Sequence, residues 1–252
     1  MPSYVVVGAS RGLGYEWLRQ LSNESANTVI GLVRTPDTVQ KRLETDSMQS
    51  VHLVAGDMAD NDSLVAAAAE TEKFTGGSVD YLIINGVYTN PSESFLFPSE
   101  FSGKEELLTN SMTQSLKVNV LGVVFSINAF LPLVRKSKIK KIIVISTGLA
   151  DRDMVEKSTI SFLLTYSSMK AALNMVVAKY AVELKSEGIL LLALSPGLVD
   201  TTADNEFKAL KPDFAGPITP SESVIAQRKV IEDLAIENTG AFLSHRGNKS
   251  WL

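Results

Sequence analysis

"VGASRGLG", Val7 to Gly14, follows an apolar run at the start of the chain and sets three glycines, Gly8, Gly12 and Gly14, around one arginine, Arg11. Glycine lets a backbone turn sharply and lets a ligand approach the main chain with no Cβ in the way. A helix predicted to follow would aim its free N–H groups and positive dipole end at the same place, which suits a pyrophosphate. The spacing is G-x-x-x-G-x-G, not the G-x-G-x-x-G of the usual dinucleotide fingerprint, so a plain tight turn also fits the glycines taken alone.

The elements around this stretch decide between those readings. Apolar runs rich in branched residues recur at Tyr4–Val7, Thr28–Val33, Ser50–Ala55, Asp80–Ile84, Lys141–Ser146, Ile189–Ser195 and Ala241–Ser244. Most are continuously apolar, as strands buried on both faces of a parallel sheet are. Helix-like segments lie between them at Leu13–Leu21, Thr38–Leu43, Asp60–Phe74, Thr113–Arg135, Tyr166–Lys185 and Pro220–Ile236. Strand–helix alternation predicts an α/β doubly wound parallel sheet, a Rossmann fold with seven strands flanked by helices. With no repeat, linker or low-complexity tract, residues 1–252 read as a single domain. The glycines then sit between the first strand and first helix, where a dinucleotide's phosphates belong.

Composition narrows the chemistry. The 252 residues are 45% hydrophobic, carry a net charge of −4 and include no cysteine. Disulfides, thiol catalysis and cysteine metal sites are excluded, and a broad nucleic-acid footprint is disfavoured. The two histidines, His52 and His245, lie far apart and read as scaffold residues, so no metal site is expected. A strand starting at Tyr4 leaves no room for a leader, and the longest near-apolar window, Val118–Val134, is interrupted by Asn119, Ser126, Asn128 and Pro132. The expectation is a soluble cytoplasmic protein with neither membrane nor nucleic acid as partner.

Two constellations carry the function. In NAD-specific folds an acidic residue ends the second strand and binds the ribose hydroxyls. Here that strand ends in Arg34, followed by Thr35 and Pro36. Arg34 and Arg11 could hold a 2′-phosphate through paired hydrogen bonds, which favours NADP(H); two solvated surface arginines are the alternative. The second constellation is "TYSSMK", which puts Tyr166 and Lys170 one helical turn apart on one face. A phenol is a poor acid near neutrality, with a reference pKa of about 10, and a nearby ammonium lowers it. Such a pair could give a proton to a carbonyl oxygen or take one from an alcohol.

In its motifs and their order the chain resembles the short-chain dehydrogenase/reductase family, along essentially its whole length, and within it the sniffer-like carbonyl reductases. "VGASRGLG" matches the nucleotide-binding motif, which implies cofactor contacts at Gly8, Ser10, Arg11, Gly12, Leu13 and Gly14, with Arg34 beside them. "GDMAD" implies adenine contacts through Asp57 and Met58, and "INGV" implies contacts through Asn85 and Gly86. "LSPGLVDT" implies nicotinamide contacts through Pro196, Gly197, Val199 and Thr201. The resemblance makes Tyr166 the general acid/base. Lys170 is then the ribose-binding lysine that lowers the tyrosine pKa, and Asn119 holds a relay water. It aligns Thr147 with the hydroxyl residue that orients the carbonyl, with adjacent Ser146 as the alternative. Two departures stand out: threonine at 147 narrows the site by a methyl, and "INGV" replaces the family's N-N-A-G.

Specificity is expected in three loops, at about 88–101, 148–163 and 201–217, beyond the carboxyl ends of the strands. Their aromatics, including Tyr88, Phe95, Phe97, Phe101, Phe162, Phe207 and Phe214, either line a pocket or anchor the loops on the core. The substrate expected is a small to medium apolar ketone, aldehyde or alcohol. An NADP(H)-binding regulator, or a biosynthetic enzyme that templates rearrangement or cyclisation, is the competing reading. The apolar helices Thr113–Arg135 and Tyr166–Lys185 predict a homodimer or homotetramer, the family's helices pairing across a two-fold axis.

Overall fold

The computed structural model describes residues 1–200 and 217–251. Seven strands form one sheet in the order β3-β2-β1-β4-β5-β6-β7, every neighbouring pair parallel. They are β1 (Ser3–Val7), β2 (Thr28–Val33), β3 (Val51–Ala55), β4 (Tyr81–Ile84), β5 (Lys141–Ile145), β6 (Leu190–Ser195) and β7 (Ala241–Ser244). All seven strands fall where the apolar runs predict them, to within a residue.

Helices cover both faces. On one, α3 (Asn61–Thr75), α5 (Gly122–Lys136) and α7 (Leu164–Leu184) bury Leu64, Ile127, Phe130, Leu173 and Val177 against the sheet. On the other, α1 (Gly12–Ser22), α2 (Pro36–Thr45) and the helix at Pro220–Glu232, here α8, bury Trp17, Leu18, Leu43 and Val224. The strands are apolar on both faces because both faces carry a core. Strand order reverses between β1 and β4, and the crevice at that switch point is where such sheets hold ligands.

The structure corrects the helix ends. The segment predicted from Thr113 begins at Glu105: α4 (Glu105–Ser115) runs through a π-helical turn, Leu116–Leu121, into α5. This continuous 32-residue helix is long and apolar enough to cross a membrane by length and composition, contrary to the sequence expectation. Its Val123, Ile127, Phe130 and Val134 are instead packed in the core of the fold. The last helix stops at Glu232, short of the predicted Ile236, where the buried Lys141 Nζ donates to the Ile231 and Glu232 carbonyls and caps its end. A short helix, α6 (Arg152–Ser158), stands inside the stretch read as a loop. Its start is signalled by Asp151, whose carboxylate accepts the Met154 N–H at 2.9 Å.

Candidate active site

The glycine stretch forms the floor of the crevice. Gly8 has φ +81°, open to glycine at little cost. A Cβ at Gly8 would come 2.4 Å from Gly86 Cα, and one at Gly14 would come 2.2 Å from the Gly8 carbonyl oxygen. These glycines therefore let two backbone turns touch, β1–α1 against the end of β4. Asn85 ties them together, its Nδ2 donating to the Gly8 carbonyl at 3.1 Å. The Asn85 and Gly86 amides both donate to the Val7 carbonyl. The altered "INGV" thus still supplies the backbone on which Gly8 rests, while a Cβ at Gly86 itself would meet the Met58 sulfur and lie 3.6 Å from Gly8 Cα.

This floor fits a dinucleotide's phosphates. No side chain caps the N-terminus of α1, which leaves its first-turn N–H groups open to a ligand. Ser10 and Arg11 are exposed, Gly12 and Leu13 partly so, and Arg34 is exposed at the end of β2. Among the described residues neither Arg11 nor Arg34 has an ion-pair partner, so both guanidinium groups stand free. Asp57 is half-buried just beyond β3 and accepts the Ala59 N–H at 2.9 Å. Met58 follows it directly. It is buried, and its sulfur lies under Gly86, where an added Cβ would come within 2.3 Å.

At the far side of the crevice, β5 ends in Ile145 and the chain passes through Ser146 and Thr147. The structure separates these two hydroxyls. Ser146 is buried and donates to Asn174 Oδ1 at 2.7 Å, away from the crevice. Thr147 is partly exposed, and its Oγ1 accepts the Leu149 N–H at 3.3 Å. Burial pushes the Tyr166 phenol up, and the neighbouring Thr147 side chain works in the opposite direction.

Lys170 lies one turn further along α7 and is 3% exposed. Its Nζ donates to the Ile145 carbonyl at 2.6 Å. Burial pulls its pKa from 10.5 down to about 8. The sequence predicts an ammonium that lowers the phenol. The structure turns that ammonium toward the end of β5, and desolvation dominates the tyrosine.

Asn119 sits in the π-helical turn, fully buried. Its Oδ1 accepts the Tyr88 N–H at 2.8 Å, and its Nδ2 donates to the Tyr88 carbonyl at 2.9 Å and to Ser115 Oγ at 2.7 Å. Oδ1 and one donor thus hold Tyr88 at the start of the 88–101 loop, the other donor is taken by Ser115, and one Oδ1 lone pair remains for a water.

Beyond β6, Gly197 has φ +84°, and a Cβ there would meet the His245 ring at 2.8 Å. The Pro196 carbonyl accepts from Ser223 Oγ at 2.7 Å, and Val199 bridges Ile218. His245, read as scaffold, is buried behind this turn, and burial lowers its pKa. Thr201, and with it Phe207, Leu210 and Phe214 of the third loop, lies outside the described residues.

The first two loops meet. The Phe95 and Phe162 rings approach at 5.6 Å between centroids, and the Leu163 N–H donates to the Ser94 carbonyl. Phe101 and Phe162 are buried anchors and Phe97 is exposed, so these aromatics chiefly fasten the loops. The narrow crevice in front of Tyr166 is lined instead by hydrogen-bonding groups, among them Asn90, Glu93, Ser94, Ser115 and Thr165. In sequence the 88–101 loop's aromatics are conspicuous, whereas the "PSES" run that carries Glu93 looks like ordinary solvated loop. Among the described residues, no three His, Cys, Asp or Glu side chains gather as metal ligands would.

Comparisons with known proteins agree with this geometry. A family model described as short chain dehydrogenase matches residues 3–211. The short-chain dehydrogenase/reductase AacuF of Aspergillus aculeatus is 41% identical over 268 residues, covering 100% of both chains. The short chain dehydrogenase virK of Hypocrea virens is 37% identical over 271 residues, again covering 100% of both. Among solved structures, an NADPH-bound carbonyl reductase from chicken fatty liver superposes with a TM-score of 0.81 at 25% identity, over 98% of each chain. The carbonyl reductase Sniffer of D. melanogaster shares the fold, with a TM-score of 0.80 at 19% identity over 98% of each chain.

Proposed function

The chain belongs to the short-chain dehydrogenase family, and from that premise we propose that it is an NADPH-dependent reductase of ketones or aldehydes, able to run in reverse on alcohols. The observation that carries this reading is the grouping at the carboxyl end of β5. Tyr166 lines the crevice with the Thr147 side chain beside it, and Lys170 lies one turn behind. A 2′-phosphate at the free Arg11 and Arg34 guanidinium groups supports NADPH over NADH. Two of the similar proteins point the same way, since the chicken enzyme is NADPH-bound and both it and Sniffer are carbonyl reductases.

In this reading the bound nicotinamide supplies hydride to the carbonyl carbon. The protein's own groups manage the oxygen. The buried Tyr166 phenol, held protonated at neutral pH, donates its proton to the carbonyl oxygen as charge develops there. Thr147 gives a second hydrogen bond that fixes the oxygen's position; Ser146 is committed to Asn174 and leaves that role to its neighbour. The Lys170 ammonium binds ribose hydroxyls and returns a proton toward the phenol. Asn119 fixes Tyr88 and offers its remaining lone pair to a relay water.

Purified protein mixed with NADPH and a panel of ketones, aldehydes and quinones should oxidise the cofactor. NADPH binding without oxidation by any carbonyl would move the reading to a nucleotide-binding regulator or a template enzyme.

A further inference from the structure

The crevice in front of Tyr166 holds one carboxyl group that the mechanism above does not use. Glu93 is only 5% exposed, yet it lines that crevice. Thr165 Oγ1 donates to its Oε2 at 2.9 Å. Among the described residues this is the side chain's single hydrogen bond, and no cation pairs with it. Buried carboxylates ordinarily have several donors or a counter-charge, because their desolvation is costly. Burial accordingly pushes this carboxyl up, against the smaller opposing effect of Thr165.

A fastening role would not need the charge. A glutamine carbonyl would accept from Thr165 equally well and be cheaper to bury. The second oxygen is the one left without a protein donor, in a crevice whose other walls are Asn90, Ser94 and Ser115. Thr165 precedes Tyr166 directly in the first turn of α7. A molecule presenting its carbonyl to Tyr166 therefore has Glu93 beside it.

We propose that Glu93 is a substrate-binding residue whose free oxygen accepts a hydrogen bond from a hydroxyl carried a few bonds from the reacting carbonyl. The substrate class is then a hydroxylated ketone or aldehyde, not a plain hydrocarbon one. This rests on the reductase reading of the same site.

The 3- and 4-hydroxymethylbenzaldehydes and their methylbenzaldehyde counterparts test it. Each pair differs by one hydroxyl that stays neutral in water, and the rigid ring fixes its distance from the carbonyl. Affinities are read by titration calorimetry with 1,4,5,6-tetrahydro-NADP present, which exchanges hydride with neither the aldehyde nor the benzylic alcohol. At least one hydroxymethyl isomer should bind the wild type about tenfold or more tightly than its methyl partner, the scale of one hydrogen bond to a charged group. Glu93→Gln, which keeps an acceptor for Thr165, should bring that preference to within about twofold while the methyl compound binds as before. The absence of any preference in the wild type would overturn the proposal, as would a preference that survives in Glu93→Gln. Failure of the reductase reading would look different: the hydroxyl preference would stand, with no NADPH oxidised.

Discussion

Tyr166 is the residue on which turnover depends. Tyr166→Phe removes one oxygen and almost no volume, so fold and NADPH binding should persist. The kcat for carbonyl reduction should fall about 10²–10⁴-fold, the usual worth of a placed general acid. Steady-state kinetics with a good substrate decides this, and retention of most activity would remove Tyr166 from the role. Lys170 makes a prediction about pH. Its pKa in the unliganded protein is about 8, down from 10.5, through burial. Below that value the ammonium is present to meet the ribose hydroxyls; above it the amine is neutral. NADPH affinity should therefore weaken as pH rises through about 8, well before a solvated lysine would lose its charge. Fluorescence titrations across that range should show the fall, and Lys170→Met should flatten it. At Arg34, replacement by Asp exchanges a phosphate donor for a repelling charge. An NADPH preference of about tenfold or more, at least 1.4 kcal/mol, should largely vanish in that variant. Equal NADPH and NADH affinities in the wild type would refute the role given to Arg34.

The elements around these residues set how much of the site could be read beforehand. β1, α1 and the turn between them were legible because glycine spacing and continuous apolar runs are local signals. The choice between Ser146 and Thr147 was not, because it depends on which way the chain turns after β5 and on Asn174, 28 residues away. Asn119 was legible as a residue but not in its bonds, since the π-helical turn that presents it to Tyr88 has no sequence period of its own. Glu93 escaped because an acidic residue in a polar loop looks solvated until the loop folds over it. The β1–α1 turn yields a paired prediction. In Gly14→Ala the new methyl meets the Gly8 carbonyl at 2.2 Å, a backbone atom that cannot give way. In Gly86→Ala it meets the Met58 sulfur at 2.3 Å, the end of a flexible side chain. Gly14→Ala should cost about 1–3 kcal/mol and lower Tm by several degrees, with NADPH binding impaired; Gly86→Ala should cost clearly less. Thermal melts of the two variants side by side give the answer, and equal losses would contradict the distinction.

On the scale of the whole molecule, α7 does two jobs. Its inner face carries Tyr166 and Lys170, and its outer face leaves Met175 61% and Val182 79% exposed, seven residues apart on one side. Leu116 and Leu121 add exposed apolar surface at the π-helical turn between α4 and α5. Large apolar groups left uncovered in this way invite a symmetric partner. We propose a two-fold dimer through this surface. Light scattering at micromolar concentration should give twice the chain mass for the wild type. Val182→Glu, which sets like charges near the axis, should shift it toward monomer. A monodisperse wild-type monomer would rule the dimer out.

The touching backbones of Gly8 and Gly86 bear on how this protein can change. At Gly8 a side chain would strike main chain, so that part of the floor cannot be enlarged and has nothing to be made smaller. Selection, natural or in the laboratory, has no material to work with on that floor. Variation that alters which molecules are accepted must come from the rim, where Asn90, Glu93, Ser94 and Thr165 present side chains that can be exchanged one at a time. A mutant library aimed at new specificity should leave the floor untouched and spread its diversity over those rim positions.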